Sequence, residues 1–245
     1  MLQLLFSATE VATLVDKEHS TAAFSDDVIH MPLQCATQWD ALSHAHYDGK
    51  LYNNRPVAEM LTSRGARELG VEGLARPGIT SRGILVDIAR LKDTEILPAD
   101  YAITTDDLNE ACASSGLTPR KGDILVVRTG HIRHFTVHRN RQAFNGPQSG
   151  LHYECARWVY EREIAAICAD NVGVEILPSA PGAEMPAPLH MFCLRNMGMP
   201  LGEMFDLDEL AEDCAQDNRY EFMLCASPLP ITGAFGSPVN PIAIK

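Results

Sequence analysis

Residues 121–130 read KGDILVVRTG, a continuous apolar centre flanked by charged and turn-forming residues. A short apolar run bounded by turn signals is typical of a strand that is buried on both faces. The segments RGILVDIA at 82–89 and IAAICAD at 164–170 have the same pattern. These three segments therefore predict buried strands in the core.

Segments with helical spacing separate the predicted strands. Thr104 is a predicted N-cap, because TTDDLNEACASSG places acidic residues in the first turn of a helix that would end at Gly116. Since strands and helices alternate, the sequence predicts an α/β domain. The remaining predictions are helices at 8–18, 57–70 (broken near residue 65), 151–163, 190–197 and 205–216, extended chain at 28–34, a turn at 48–49, and two strands within 220–245.

The length of the chain favours one domain. A sequence of 245 residues, 46% of them hydrophobic, can bury one large core. No internal repeat, linker or low-complexity segment divides the sequence. We therefore predict a single domain over residues 1–245, of which 1–30 form a weakly patterned N-terminal segment.

Charge and cysteine usage exclude several classes of partner. The 32 acidic residues outnumber the 20 basic ones, and the formal net charge of -12 disfavours nucleic acid and anionic membrane surfaces as partners. No apolar run approaches the ~20 residues that cross a bilayer, and the opening MLQLLF lacks the basic flank of a signal peptide. The 7 scattered cysteines form no CxxC pair, which favours a reducing compartment. We expect a cytoplasmic protein.

The segment LQCATQWDALSH at 33–44 concentrates polar side chains in an apolar stretch. Asp40 and His44 are four residues apart, and a carboxylate beside an imidazole can bind a divalent metal or act as a base with its orienting partner. His190 and Glu203 are likewise polar residues in apolar company, in PLHMFC and MPLGEMF. The structural alternative is that Asp40 caps a turn and His44 is a hydrogen-bonded core histidine.

Residues 34–44 resemble a variant of the HxGTHxDxPxH signature of the cyclase family of metal-dependent hydrolases, which includes bacterial kynurenine formamidase and isatin hydrolase. The segments TQWDALSHAHYDGKLYN, SRGILVDIA, KGDILVVRTG, DNVGVEILP, PLHMFCLRNMGMPLGEMFDLDEL and GSPVNPIAI follow in the expected order and are similar to a TQWD-type branch of that family. The resemblance covers nearly everything after residue 25. It implies the β-rich swivelling β/β/α fold of the formamidases, with a central barrel-like sheet surrounded by helices.

The resemblance also implies roles for individual residues. The motif aspartate falls on Asp40, and the last motif histidine, which resembles the catalytic base of the formamidases, falls on His44. The first two motif histidines, which are metal ligands in the formamidases, fall on Gln34 and Gln38. The two late ligands fall on His190 and Glu203.

Two glutamines in place of two histidines change the expected metal chemistry. A glutamine oxygen is a neutral, weak ligand, whereas imidazole suits zinc well. The remaining ligands, Asp40, His190 and Glu203 with Gln38 or Gln34 oxygen and His44 as a second nitrogen candidate, favour one oxygen-preferring cation, Mn²⁺ or Mg²⁺ before Zn²⁺. We expect a hydrolase or cyclase that acts on a C–N or C–O bond of a small amide, lactam or lactone, with His44 as general base and a metal-activated water.

Several further residues are candidates for binding a small-molecule substrate. Trp39 is predicted to pack beside the site and to shape its pocket. His46 and Tyr47 follow the motif, although His46 also fits a solvated loop. The loop HIRHFTVHRNR at 131–141 could bind an anionic substrate or a second metal, or be a surface loop with a few cations. The resemblance implies a homodimer or homotetramer.

A rival interpretation belongs to another class of protein. The two glutamines at 34 and 38 also suit a family member that has lost its metal and either binds a metabolite without turnover or guides ring closure by shape alone. Metal content and the sensitivity of activity to a chelator distinguish the two.

Overall fold

A curled, mixed β-sheet organises the part of the chain that this computed structural model describes, residues 2–5 and 27–245. Its strands are β3 (Gln38–Asp40), β6 (Thr80–Asp87), β8 (Ile124–Arg128), β10 (Ala166–Ala169), β11 (Leu201–Glu203), β12 (Glu221–Cys225), β13 (Gly236–Pro238) and β14 (Ile242–Ile244). Within the described residues the sheet has the strand order β13-β3-β11-β10-β8-β6-β12-β14 and forms half of a barrel. The smaller pairs are β1 (Leu2–Leu5) with β2 (Asp27–His30), β4 (Leu61–Thr62) with β5 (Gly65–Ala66), and β7 (Ala102–Ile103) with β9 (Gly150–Leu151).

The three predicted buried strands form the parallel centre of this sheet. β8 pairs in parallel with β6 on one side and with β10 on the other. Parallel strands are covered on both faces, which explains why their sequences are continuously apolar. Leu125 and Ile167 face one hydrophobic cluster, and Val126 and Cys168 face the other. The predictions at 82–89, 121–130 and 164–170 are confirmed.

Helices surround the sheet, as predicted, and the α/β class with a central barrel-like sheet is confirmed. Thr104 caps its helix through a capping box with Asp107, which satisfies backbone donors of the first turn. None of the helices in the described residues is long and apolar enough to cross a membrane. In chain order they are α1 (Val57–Met60), α2 (Glu72–Ala75), α3 (Ile88–Leu91), α4 (Thr105–Ser114), α5 (Arg133–Thr136), α6 (Arg141–Phe144), α7 (Cys155–Glu161), α8 (Pro188–His190) and α9 (Asp208–Asp217), with a 3-10 turn at Tyr52–Asn54 and a π-helix at Met191–Met197.

Two segments differ from the sequence-based expectation. The stretch 57–70 is not one broken helix: after α1 the chain makes the β4–β5 hairpin, since Gly65 adopts a positive φ of 104° and Thr62 bonds to the turn through its hydroxyl. The segment 220–245 forms three strands rather than two. β12 and β14 pair at one edge of the sheet, whereas β13 pairs with β3 at the opposite edge. The helix predicted at 8–18 lies outside the described residues.

Strand β3 connects this architecture to the 33–44 motif. It pairs in antiparallel fashion with β11 on one side and with β13 on the other. Gly202 on β11 lies against the Trp39 ring, where an added Cβ would come within 2.9 Å of the indole. The motif is therefore held inside the sheet by two strands that come much later in the sequence.

Candidate metal centre and active site

The alternation of side chains along β3 places Gln38 and Asp40 on one face of the sheet. In the antiparallel register Glu203 is directly opposite Gln38, so the two side chains meet across the strands. Gln38 Nε2 donates to Glu203 Oε2 over 2.5 Å, which leaves the other oxygen of Glu203 free for a different partner. All three side chains are buried.

Gln34 reaches the same face from the turn that precedes β3. Gly236 pairs with Asp40 on the β13 side, so a side chain at residue 236 would share the face of the Asp40 carboxylate. A Cβ at Gly236 would lie 2.8 Å from Gln34 Nε2, which shows that the Gln34 amide occupies this space. Gln34 is thus a neighbour of Asp40, without a hydrogen bond to it.

Glu175 fixes the position of His190, and sequence reasoning did not single it out. The buried Glu175 carboxylate accepts hydrogen bonds from the backbone N–H groups of Leu189 and His190, at 3.1 and 2.9 Å. His190 Nδ1 lies 2.7 Å from Glu175 Oε1. The imidazole is therefore oriented with Nε2 towards Glu203 and Asp40. A carboxylate between Val174 and Ile176 is the same signal, a polar residue in apolar company, that had marked His190 and Glu203.

The side chains of Asp40, His190 and Glu203 form one buried cluster. His190 Nε2 lies 3.2 Å from Glu203 Oε1 and 3.7 Å from Asp40 Oδ2. One ligand atom from each residue falls within 4.8 Å of the other two, a spacing that a single metal ion can bridge. Among the described groups of three or more potential ligands, this cluster alone meets that criterion.

The donor atoms of the cluster fit a divalent cation. Both carboxylate oxygens of Asp40 and the Oε1 atom of Gln38 are buried, and none of them has a hydrogen-bond partner among residues 2–5 and 27–245. Buried polar atoms are rarely left in this state, because each costs desolvation free energy. Oxygen ligands and an imidazole whose second nitrogen bonds to a carboxylate are typical of metal centres. Asp40, His190 and Glu203, with Gln38 beside them, therefore suit a divalent metal.

The acid–base properties of the cluster agree with this fit. Burial and the charge of Glu203 raise the pKa of the Asp40 carboxyl well above its usual range. For His190, burial lowers the pKa, but the hydrogen bonds with Glu175 and Glu203 outweigh it and raise the value to about 10. Three carboxylates around one imidazole are an excess of negative charge, which a divalent cation would compensate.

His44 lies beside the cluster and is open to solvent. Its Nε2 atom is 3.9 Å from Asp40 Oδ1, its ring centroid is 6.4 Å from that of His190, and 36% of its side chain is exposed. Partial burial and the charge of His190 lower the pKa of His44. A neutral imidazole that borders both solvent and the ligand cluster has the properties of a proton acceptor.

The three candidate substrate-binding residues lie in different places. Trp39 is fully buried on the opposite face of β3 from Asp40, where its Nε1 donates to the Ala226 carbonyl and its ring meets Phe205 edge to face. Trp39 therefore packs in the core and, contrary to the prediction that it shapes the pocket, does not line the site. His46 is exposed. Tyr47 lies against the guanidinium of Arg195, whose Cζ is 4.3 Å from the ring centroid.

The histidines of the 131–141 loop lie apart from the cluster. His131 is buried and its Nε2 contacts the carbonyl of Phe144, while His138 is exposed. The rings of His131 and His134 meet edge to face, with centroids 5.3 Å apart. Among the described residues, this loop contributes to no set of three ligands that could hold the second metal considered above.

Comparison with known proteins agrees with the fold and the cluster. The Cyclase family model, described as "Putative cyclase", matches residues 6–176. A crystal structure described as a novel cyclase is 41% identical, with a TM-score of 0.85 over 99% of this chain and 81% of the other. A comparison with curated proteins finds no match.

Two more distant structures share the fold. Isatin hydrolase A from Labrenzia aggregata, bound to benzyl benzoate, is 19% identical, with a TM-score of 0.66 over 99% of this chain and 82% of its own. A potential metal-dependent hydrolase with cyclase activity is 17% identical, with a TM-score of 0.56 over 89% of this chain and 81% of its own.

Fold and site together define an enzyme of hydrolase or cyclase type with a buried Asp/His/Glu group suited to a divalent metal. The chain belongs to the Cyclase family, because the family model spans more than half of it and a structure of a cyclase is 41% identical over 99% of its length. The family resemblance seen in residues 34–44 is confirmed.

Glu175→Gln should weaken divalent-metal binding by about 10- to 100-fold, because an orienting partner of a ligand histidine contributes that much to metal affinity. The glutamine side chain has only one oxygen, and its NH₂ group would face a backbone N–H of residue 189 or 190 that now donates to Glu175. Calorimetric titration with Mn²⁺ measures the effect. Glu184→Gln, an exposed carboxylate in the same loop, is the matched control, and equal affinities in both variants would contradict the role of Glu175.

Proposed function

We propose that the protein is a metal-dependent hydrolase that cleaves a C–N or C–O bond of a small amide, lactam or lactone, or closes such a ring in the reverse direction. The observation that carries this proposal is the buried Asp40 carboxylate: among the described residues neither of its oxygens has a hydrogen-bond partner, although His190 and Glu203 lie beside it. A buried carboxylate without hydrogen bonds is unfavourable unless a cation compensates it. The hydrolases of similar fold support the reaction class.

The ligand set supports Mn²⁺ in preference to Zn²⁺. Asp40 and Glu203 contribute carboxylate oxygens, His190 contributes Nε2, and the unpartnered Oε1 of Gln38 is a candidate fourth ligand. Gln34, next to Asp40, is a further oxygen donor at the edge of the site. Oxygen-rich sets favour harder cations than zinc. When bound here, such a cation supplies Lewis acidity that polarises a carbonyl and lowers the pKa of a water molecule.

His44 acts as the general base in this proposal. Its lowered pKa keeps the imidazole neutral near pH 7, so that a ring nitrogen can accept a proton from the attacking water. The same group then returns the proton to the leaving amine or alcohol. Because the ring is partly exposed beside Asp40, it borders the space from which a substrate approaches the cluster.

The test is metal analysis of the purified protein, followed by assays against a panel of aryl formamides, lactams and lactones with and without a chelator. We expect about one divalent ion per chain and activity that is lost on chelation and restored by Mn²⁺. Activity that is indifferent to the chelator and to His44→Ala would overturn the proposal.

A metal-free function has one observation in its favour. The Gln38–Glu203 and His190–Glu203 hydrogen bonds connect these three side chains directly to one another. Chains that bind no Mn²⁺ or Zn²⁺ yet bind small molecules of this panel without converting them would establish that alternative.

A further inference from the structure

A second pair of side chains lies alongside His44 and His190. The loop that carries His44 continues to Tyr47, and the helix that begins near His190 continues to Arg195. Tyr47 contacts Arg195, with 4.3 Å between the Arg195 Cζ atom and the centroid of the Tyr47 ring. His44 and His190, from the same loop and helix, also lie beside each other, with ring centroids 6.4 Å apart. In the π-helix, residues five apart are one turn apart, so Arg195 follows His190 on the side that faces the same loop.

Within the part of the chain that the structure describes, the Arg195 guanidinium donates only to neutral acceptors. Nη1 donates to Asn196 Oδ1 at 2.9 Å and to the Tyr47 hydroxyl at 3.3 Å, and Nη2 donates to Asn54 Oδ1 at 3.5 Å. Its Nε atom is buried and has no acceptor. Arg128, by contrast, has carboxylate oxygens of Asp87 and Asp208 at 3.0 and 2.8 Å.

Among the described residues the hydrogen-bond acceptors of Arg195 are all neutral and none is a carboxylate, so no ion pair compensates its positive charge there. This contrasts with the chain as a whole, whose formal charge of -12 repels anions. The Tyr47 ring and the two amides hold the guanidinium in place, which reduces the entropy that a ligand must overcome to use it. A guanidinium in this state matches a carboxylate, to which the remaining N–H of Nη2 can donate a charge-assisted hydrogen bond.

We propose that Arg195 binds a carboxylate group that the substrate carries away from the bond to be cleaved, and so makes the enzyme selective for anionic substrates. This inference rests on the proposed hydrolase function, because the carboxylate is assigned to the substrate of that reaction. Tyr47 is the residue that positions Arg195, through the face of its ring and its hydroxyl. The substrate is thereby oriented with its carboxylate one helical turn from His190.

The first experiment compares formanilide with its ring-carboxylated counterpart in the Mn²⁺-loaded enzyme. Arg195→Gln should lower kcat/KM for the carboxylated substrate about 10- to 100-fold through KM, and lower it far less for formanilide. Arg157→Gln removes the same charge from a side chain that is 86% exposed and should affect neither substrate. Equal losses on both substrates, or no loss on either, would overturn the proposal.

The second experiment does not require turnover. Benzoate titrated into the metal-free protein should bind at least about 10-fold more weakly to Arg195→Gln than to the wild type, with Arg195→Lys in between because it keeps the charge but not the planar geometry of the guanidinium. Unfolding midpoints identify a variant that fails to fold. If neither anilide is hydrolysed but benzoate binding depends on Arg195, the hydrolase proposal fails and the anion site stands. Benzoate binding that Arg195→Gln leaves unchanged contradicts the anion site.

Discussion

Asp40→Asn should lower the affinity for Mn²⁺ by more than about 100-fold and reduce activity to near background. Loss of an orienting group alone costs up to about that factor, and Asp40 is itself a ligand in our assignment. Its carboxylate is fully buried, and neither oxygen has a hydrogen-bond partner among the described residues, so the substitution removes a charge and an oxygen that a cation would use. Calorimetric titration measures the affinity, and the assay panel measures the activity.

The same substitution should not destabilise the metal-free protein. Burial and Glu203 make an ionised Asp40 unfavourable in the absence of a cation, so a neutral amide of the same shape removes a cost. We therefore expect an unchanged or raised unfolding midpoint in chelator, and the loss of the stabilisation that Mn²⁺ gives the wild type. Asp48→Asn, an exposed turn residue, should behave as wild type in both conditions. An Asp40→Asn protein that still gains stability from Mn²⁺ would contradict the assignment.

His44→Gln should lower kcat by about 10²- to 10⁴-fold, the range in which a general base contributes, while KM changes little. Because His44 stands beside the ligand cluster and not within it, the affinity for Mn²⁺ should stay within a few-fold of the wild type. Steady-state kinetics and metal titration on one preparation separate the two effects.

The control for this variant is His30→Gln, which changes an exposed imidazole on β2. It should leave kcat and the metal affinity unaltered. If His44→Gln loses the metal and its activity together, His44 is a ligand and not the base. If the variant retains full activity, another group takes the proton.

The central sheet could be predicted because its parallel strands carry a strong local signal. The segments around Leu85, Leu125 and Ile167 are apolar on both faces, so neither register nor partner had to be known to recognise them. The β4–β5 hairpin could not, since its strands have two residues each and depend on the turn conformation of Gly65. An element of this length has no periodicity to detect.

The clustering of the candidate ligands could be predicted, but their surroundings could not. Asp40, His190 and Glu203 came from the resemblance, and the structure brings them together. Trp39 was misplaced because the face that a residue takes on a three-residue strand depends on its neighbours β11 and β13. The proposed role of Arg195 could not be predicted from the sequence. It depends on contacts with Tyr47, Asn54 and Asn196, none of them a carboxylate, and no single sequence segment shows these contacts together.

The placement of β3 between β11 and β13 determines when the protein can become active during its synthesis. The motif at 33–44 leaves the ribosome early, but its strand finds both partners only after residues 201–203 and 236–238 have emerged. At roughly 5–20 residues per second, that delay is on the order of ten seconds or more. A nascent chain therefore has the 33–44 motif long before Asp40, His190 and Glu203 can come together, and the cluster forms only when the sheet is almost complete.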